Sequence, residues 1–144
     1  MPPSSLRILI AIFLIAHGLV HYSLATVPVP APGALRTPFF PAWWRTAVDP
    51  LWPILRAGIN PETARTVGWV LWVVQLICFS LAGLGLLGIP GLSVVWRGLA
   101  LFGAASSLFL LGLFWHPWLV VGVLIDLAII AGYIWNWPSF LFTK

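Results

Sequence analysis

Four long apolar stretches, separated by short segments rich in proline and glycine, make up most of the chain. They cover approximately residues 6–25, 67–87, 92–114 and 117–135. A helix that crosses a bilayer needs about 20 mostly apolar residues, and each stretch approaches that length. A helix also satisfies its own backbone polar groups in lipid. The pattern therefore predicts an all-α fold, an integral membrane four-helix bundle with up-down topology, formed by a single transmembrane domain over residues 1–144.

The ends of these stretches carry residues that start or stop helices. Asn60 suits the N-cap of the second helix, Pro61 suits its first position, and Glu62 complements the positive end of the helix dipole. The segments TVPVPAPG, GIPG, WHPW and NWP all contain proline, which interrupts a helix. Because the last two connections are short, the second, third and fourth helices are expected to be antiparallel neighbours.

The first stretch also resembles a secretory signal peptide, since Arg7 precedes the apolar run and the small-residue segment SLA ends it. Its length is closer to 20 residues than to the usual 7–15, so we predict an uncleaved first span. Four spans place both termini on one side, and the signal-like start favours the cytoplasm for them. We therefore expect a multi-pass protein of a bacterial inner membrane.

The connection over residues 26–66 interleaves aromatic residues, prolines and single charges. A solvated linker would not contain so many large apolar groups, so this loop is predicted to lie along the membrane interface as an anchor. The alternative is a lid over a cavity. The ten tryptophans concentrate near the predicted helix ends and in this loop, as in the aromatic belts of membrane proteins.

Composition supports a lipid environment and excludes some functions. Hydrophobic residues make up 61% of the chain and charged residues 7%, whereas soluble domains contain roughly 25% charged residues. The net charge of +4 is spread without basic clusters, so nucleic acid is not an expected partner. The single cysteine, Cys78, excludes an internal disulfide. The expected partners are the lipid bilayer and either other subunits of a membrane complex or copies of this chain.

The apolar stretches contain a few polar residues at similar depth. Counted from the side of the long loop, these residues lie about eight or nine positions deep, or roughly 12–14 Å: His17, Gln75, Ser106, Ser107 and Asp126. His21 shares a helix face with His17 one turn closer to that side, and His116 lies near the rim. An aspartate at the membrane midplane is costly unless it is paired or protonated, so Asp126 is expected to face the bundle interior and to pair with a histidine of the first helix. We therefore predict a polar pocket, with these residues as candidates for ligand binding or proton relay.

The residues leave several roles open for this pocket. It could be a structural hydrogen-bond network that fixes the helix register, or a site for a small lipid-soluble molecule such as a quinone. Two histidines and one carboxylate, His17, His21 and Asp126, could also hold a metal, and a transport path is a further alternative. Bis-histidine haem is not expected, because no opposing helix supplies a second deep imidazole. No catalytic residue is assigned, and the chain is not expected to be an enzyme by itself.

Two segments resemble DoxX-like proteins, a group of small four-helix bacterial membrane proteins. They are LRILIAIFLIAHGLVH, with Arg7 at its start, and WVVQLICFSLAGLGLLG, in which Gln75 stands where the group often has an acidic residue. The group includes subunits associated with quinone-linked sulfur oxidation. The resemblance implies a ligand-binding or accessory subunit that is linked to a quinone or redox system. The alternatives are a membrane-embedded enzyme or metal site using His17, His21 and Asp126, and a purely structural subunit of a larger membrane complex.

Overall fold

The computed structural model describes residues 3–25, 52–115 and 117–139, and these are all-α, with no strand among them. The helices are α1 (Pro3–Ala25), α2 (Pro53–Arg56), α3 (Pro61–Leu86), α4 (Leu92–Leu113), a short 3-10 helix (Pro117–Leu119) and α5 (Val120–Ile134). The predicted all-α class is thus confirmed.

Three of these helices, α1, α3 and α4, are long and apolar enough to cross a bilayer. The fourth apolar helix, α5, has 15 residues and is therefore about 22 Å long at a rise of 1.5 Å per residue. The chain starts this last stretch with the 3-10 helix, so part of the predicted fourth span is not α-helical. Four crossing helices remain a prediction.

The predicted start of α3 is confirmed in detail. Asn60 lies before the helix with an extended backbone, and its side-chain Oδ1 accepts a hydrogen bond from the backbone N–H of Thr63 at 2.8 Å. Pro61 occupies the first helical position, where its missing N–H costs nothing. At the other end, Gly88 and Gly91 have φ angles of +95° and +81°. These angles favour glycine and turn the chain from α3 into α4.

The long helices pack in chain order, α1 along α3, α3 along α4 and α4 along α5. The main core lies between them and contains Leu14, Phe79, Ala82, Ala100 and Ala104. Small residues allow the close approach of the backbones. At Gly83, for example, a Cβ atom would lie only 2.7 Å from the carbonyl oxygen of Ala11 on α1.

The outer surface of the bundle is apolar. Large hydrophobic side chains are exposed on every long helix, including Ile12, Val70, Val94, Phe109 and Leu124. A soluble monomer rarely shows such continuous apolar surface, so this surface fits a lipid environment.

Most of the predicted interfacial loop, residues 26–51, lies outside the described residues. Its last part packs on the ends of α3 and α4. Ile54 of α2 is buried there, and the ring of Trp52 meets the ring of Phe114 edge-on, with centroids 4.8 Å apart. This part of the loop thus covers the end of the bundle near Phe114.

Candidate functional site

Three helices contribute to a chain of buried hydrogen bonds centred on the two histidines of α1. Nε2 of His17 lies 3.2 Å from Oδ1 of Asp126 on α5. Nδ1 of His21 lies 2.8 Å from the backbone carbonyl oxygen of His17, and Nε2 of His21 lies 3.0 Å from Oγ of Ser107 on α4. These side chains are at most 7% exposed, so the bonds lie in the interior of the bundle.

The partners determine most of the donor and acceptor roles. A carbonyl oxygen can only accept, so Nδ1 of His21 carries a hydrogen and donates it to the carbonyl of His17. In the neutral ring Nε2 then has no hydrogen and accepts one from the hydroxyl of Ser107. On the other side, Nε2–H of His17 donates to the Asp126 carboxylate. The i,i+4 spacing of the two histidines places both rings on one face of α1 and brings Nδ1 of His21 to the carbonyl oxygen of His17.

Phe79 of α3 forms the aromatic wall of the site. Its ring centroid lies 4.8 Å from that of His17 and 5.8 Å from that of His21. The two imidazoles meet edge-on at 4.6 Å, and Phe13 stacks parallel to His17 at 6.1 Å. Both histidines are therefore held by ring packing as well as by hydrogen bonds.

Gln75 is the polar residue of α3 that lies at the level of these hydrogen bonds. A Cβ atom at Gly103 of α4 would lie 3.2 Å from both Cys78 and Phe79. Gly103 and Phe79 therefore lie at the same level. Because α3 and α4 run antiparallel, the residue one turn before Phe79 on α3, Gln75, faces the level of the residue one turn after Gly103 on α4, Ser107. We call His17, His21, Gln75, Ser107 and Asp126 the polar cluster.

Some buried polar atoms of the polar cluster make no hydrogen bond to another described residue. Gln75 and Asp126 are both 0% exposed. Nε2 and Oε1 of Gln75 and Oδ2 of Asp126 are buried and have no hydrogen-bond partner among the described residues. Buried polar groups in native structures are nearly always paired, and the cost of leaving one unpaired is about 1–3 kcal/mol. These three atoms are therefore the hydrogen-bonding groups of the polar cluster that the described residues leave unpaired.

The structure brings together most of the predicted site residues. His21, one turn along α1 from His17, is 4% exposed and bonded to Ser107, so it belongs to the polar cluster. Ser106 is outside the cluster, because its Oγ donates to the carbonyl of Gly103 in its own helix at 3.0 Å. His116 lies outside the described residues. Phe79 was not among the predicted site residues, although its i,i+4 spacing from Gln75 places it on the same face of α3.

A metal at this site has little support in the geometry. In the described parts of the chain, no group of three or more His, Cys, Asp or Glu side chains is arranged to hold a metal ion. Both ring nitrogens of His21 take part in hydrogen bonds, so a metal would have to displace one of them. The arrangement of these described side chains favours hydrogen bonding over metal ligation.

No protein-family model, no curated protein and no solved structure matches this chain. The resemblance to DoxX-like proteins therefore stays a prediction from the sequence segments in which it was found.

Proposed function

We propose that this chain is a four-helix inner-membrane protein whose polar cluster binds a small lipid-soluble molecule of the quinone class. In this proposal it acts as a ligand-binding or accessory subunit of a membrane redox system, with both termini in the cytoplasm. The loop over residues 26–66 would lie along the opposite interface.

The observation that carries the proposal is the set of three unpaired buried atoms on Gln75 and Asp126. A network that served only to fix the helix register would be expected to satisfy its own members, because half-satisfied buried networks are unfavourable. The amide of Gln75 offers a donor and an acceptor, and Oδ2 of Asp126 offers an acceptor or, when protonated, a donor. These groups match the carbonyl and hydroxyl oxygens of a quinone or quinol head group.

The surroundings also suit an apolar ring. Phe79 and the edge-on imidazoles supply aromatic surface, and the absence of bulk water in lipid strengthens the hydrogen bonds that a ligand makes. Ionisable groups inside a membrane segment are expensive and are functional by default. The resemblance to DoxX-like proteins, which include subunits of quinone-linked systems, points in the same direction.

The test uses the full chain purified in mild detergent. We expect organic extracts to contain a quinone at close to one equivalent per chain, detected by mass spectrometry. We also expect a short-chain benzoquinone to raise the unfolding temperature, because a ligand that binds only the folded state stabilises it by RT ln(1 + [L]/Kd). At a free ligand concentration of 100 times Kd, the added free energy of unfolding is about 2.7 kcal/mol.

The matched variants are Gln75→Leu, Asp126→Asn and Ser106→Ala. Gln75→Leu removes two unpaired buried atoms, so the ligand-free protein should be at least as stable as the wild type, while the affinity for the quinone falls about tenfold or more. This corresponds to the loss of about 1.4 kcal/mol. Asp126→Asn should also weaken binding, and Ser106→Ala should bind like the wild type. If the benzoquinone stabilises wild type and Gln75→Leu equally, or neither, the cluster is a structural network and the proposal is wrong.

A further inference from the structure

A second feature, separate from the polar cluster, is a groove between α1 and α5. α1 packs on α3 and α5 packs on α4, and the space between them has α4 as its floor. The groove has a volume of about 250 Å³. None of the residues of the polar cluster line the groove. A molecule in the groove is therefore separate from the ligand proposed for the polar cluster.

The polarity of the groove changes along its length. Its inner part is lined by aliphatic and aromatic side chains, among them Leu14, Leu101, Ile125 and Ile129. Its outer end, where α4 begins and α5 ends, is lined by Trp96, Arg97, Tyr133 and Trp137. From Ile125 to Tyr133 the groove follows eight residues of α5, or roughly 12 Å. This is a little under half the thickness of the hydrocarbon core of a bilayer.

The outer end has the composition of a membrane-water interface. Tryptophan and tyrosine are enriched at that level, and arginine pairs well with phosphate because its guanidinium group presents several donors in one plane. Arg97 lies over the ring of Trp96 at 5.8 Å from its centroid, which holds the cation beside the mouth of the groove. An amphiphile with an anionic head group and an apolar chain matches this order of side chains.

We propose that the groove binds one acyl chain of an anionic phospholipid, whose phosphate lies at Arg97. Charge complementarity favours this occupant over a second copy of the chain. The chain has a net charge of +4 and only three acidic residues, Asp49, Glu62 and Asp126. Among the described parts, Asp126 is buried and Glu62 is at the start of α3, at the opposite end of the bundle. A second copy would thus bring no described carboxylate suited to Arg97.

The experiment is native mass spectrometry of the full chain in mild detergent, with phosphatidylglycerol and phosphatidylcholine of identical acyl chains added in turn. We expect one equivalent of phosphatidylglycerol to bind about fivefold more tightly than phosphatidylcholine. One basic residue near a membrane surface contributes about 1 kcal/mol to the attraction of anionic lipid, which corresponds to that factor.

Two variants separate the head-group contact from the chain contact. Arg97→Gln should remove the preference for phosphatidylglycerol, and Arg97→Lys should keep most of it. Ala128→Trp fills the groove and should weaken the binding of both lipids. The controls are Arg65→Gln, at the other end of the bundle, and Leu124→Trp, on α5 but outside the groove; both should behave like the wild type. Melting temperatures establish that each variant is folded.

Several results would overturn the proposal. Equal affinity of the wild type for the two lipids contradicts the selection of an anionic lipid, and a preference that survives Arg97→Gln removes the role of Arg97. Unchanged lipid binding by Ala128→Trp shows that the chain does not occupy the groove. A dimer that Ala128→Trp disrupts, without a change in lipid binding, assigns the groove to a second copy. None of these results bears on quinone binding at the polar cluster.

Discussion

Ser106 and Ser107 are neighbours in the chain but have different partners. Oγ of Ser107 is fully buried and bonds to Nε2 of His21, whereas Oγ of Ser106 is partly buried and bonds to a carbonyl of its own helix. Side-chain hydrogen bonds between membrane helices contribute about 0.6 kcal/mol on average and up to about 1.7 kcal/mol. Substitutions of the two serines therefore compare the stability contributed by a hydrogen bond between helices with that of a hydrogen bond within α4.

We expect Ser107→Ala to lower the free energy of unfolding by about 0.6–1.7 kcal/mol, because it leaves Nε2 of His21 without its partner. Ser106→Ala should change it by less than about 0.5 kcal/mol, as surface-like substitutions usually do. Chemical denaturation in mixed micelles measures both. Equal losses from the two substitutions would show that the contact between His21 and Ser107 contributes nothing specific.

At this scale the sequence predicted which residues are polar and deep, and part of how they pair. Counting residues along each stretch brought Gln75, Ser107 and Asp126 to similar depth, and the cost of a buried aspartate pointed to a histidine of the first helix as its partner, which the bond to His17 confirms. The choice of His17 over His21 and the position of His21 beside Ser107 were not predicted. Both depend on the rotation of each helix about its axis, which a single sequence with apolar residues on all faces does not determine.

Helices α1 and α3 approach each other closely at Gly83. At Gly83 an added Cβ would lie 2.6 Å from the side chain of Ile15 and 2.7 Å from the carbonyl oxygen of Ala11. The neighbours include backbone, so they cannot move aside without separating the two helices. At Gly98 of α4, by contrast, an added Cβ would have nothing within 4 Å.

We therefore expect opposite effects from the same substitution. Gly83→Ala should destabilise the protein by about 1–3 kcal/mol, which is typical of overpacking. Gly98→Ala should be neutral or stabilising by up to about 1 kcal/mol, because alanine favours the helix. Thermal unfolding in detergent distinguishes the two. A Gly83→Ala protein as stable as Gly98→Ala would mean that α1 and α3 are not in such close contact.

The helix boundaries were more predictable than the helix rotations. Asn60, Pro61 and the GIPG turn act locally, through capping and backbone conformation, so their effect can be inferred without knowledge of the tertiary structure. The start of α5 was less predictable. The WHPW segment was expected to end one span and begin the next at once, but the chain first forms a 3-10 helix at Pro117–Leu119, which shortens the α-helix that follows.

For the whole molecule, the number of crossings decides the topology. The four-span prediction places Ser4 and Ser139 on the same side of the membrane and Thr63 on the other. If α5 did not cross, Ser139 would instead lie on the side of Thr63. All three residues are exposed, and Cys78 is the only cysteine, so single-cysteine variants in a Cys78→Ala background are suitable reporters.

We expect a membrane-impermeant maleimide added outside the cytoplasmic membrane to label Thr63→Cys in intact cells. Ser4→Cys and Ser139→Cys should react only after the membrane is opened. Gel shift of the labelled protein measures the reaction. Labelling of Ser139→Cys together with Thr63→Cys would contradict four crossings. Labelling of both Ser4→Cys and Ser139→Cys in intact cells, without labelling of Thr63→Cys, would reverse the orientation.

If α5 crosses the bilayer, as proposed, the thickness of the bilayer becomes a variable that acts on the polar cluster. The helix is about 22 Å long, and the 3-10 helix that directly precedes it adds about 6 Å. Together they fall slightly short of a hydrocarbon core of about 30 Å. An apolar segment that is too short is accommodated by thinning of the surrounding lipid, at a cost of fractions of a kcal/mol per Å. Asp126 lies in the middle of α5, while its partner His17 lies on the longer α1. A thicker membrane would therefore draw the two helices toward different depths and strain the bond between His17 and Asp126, so that lipid chain length alone would tune the site.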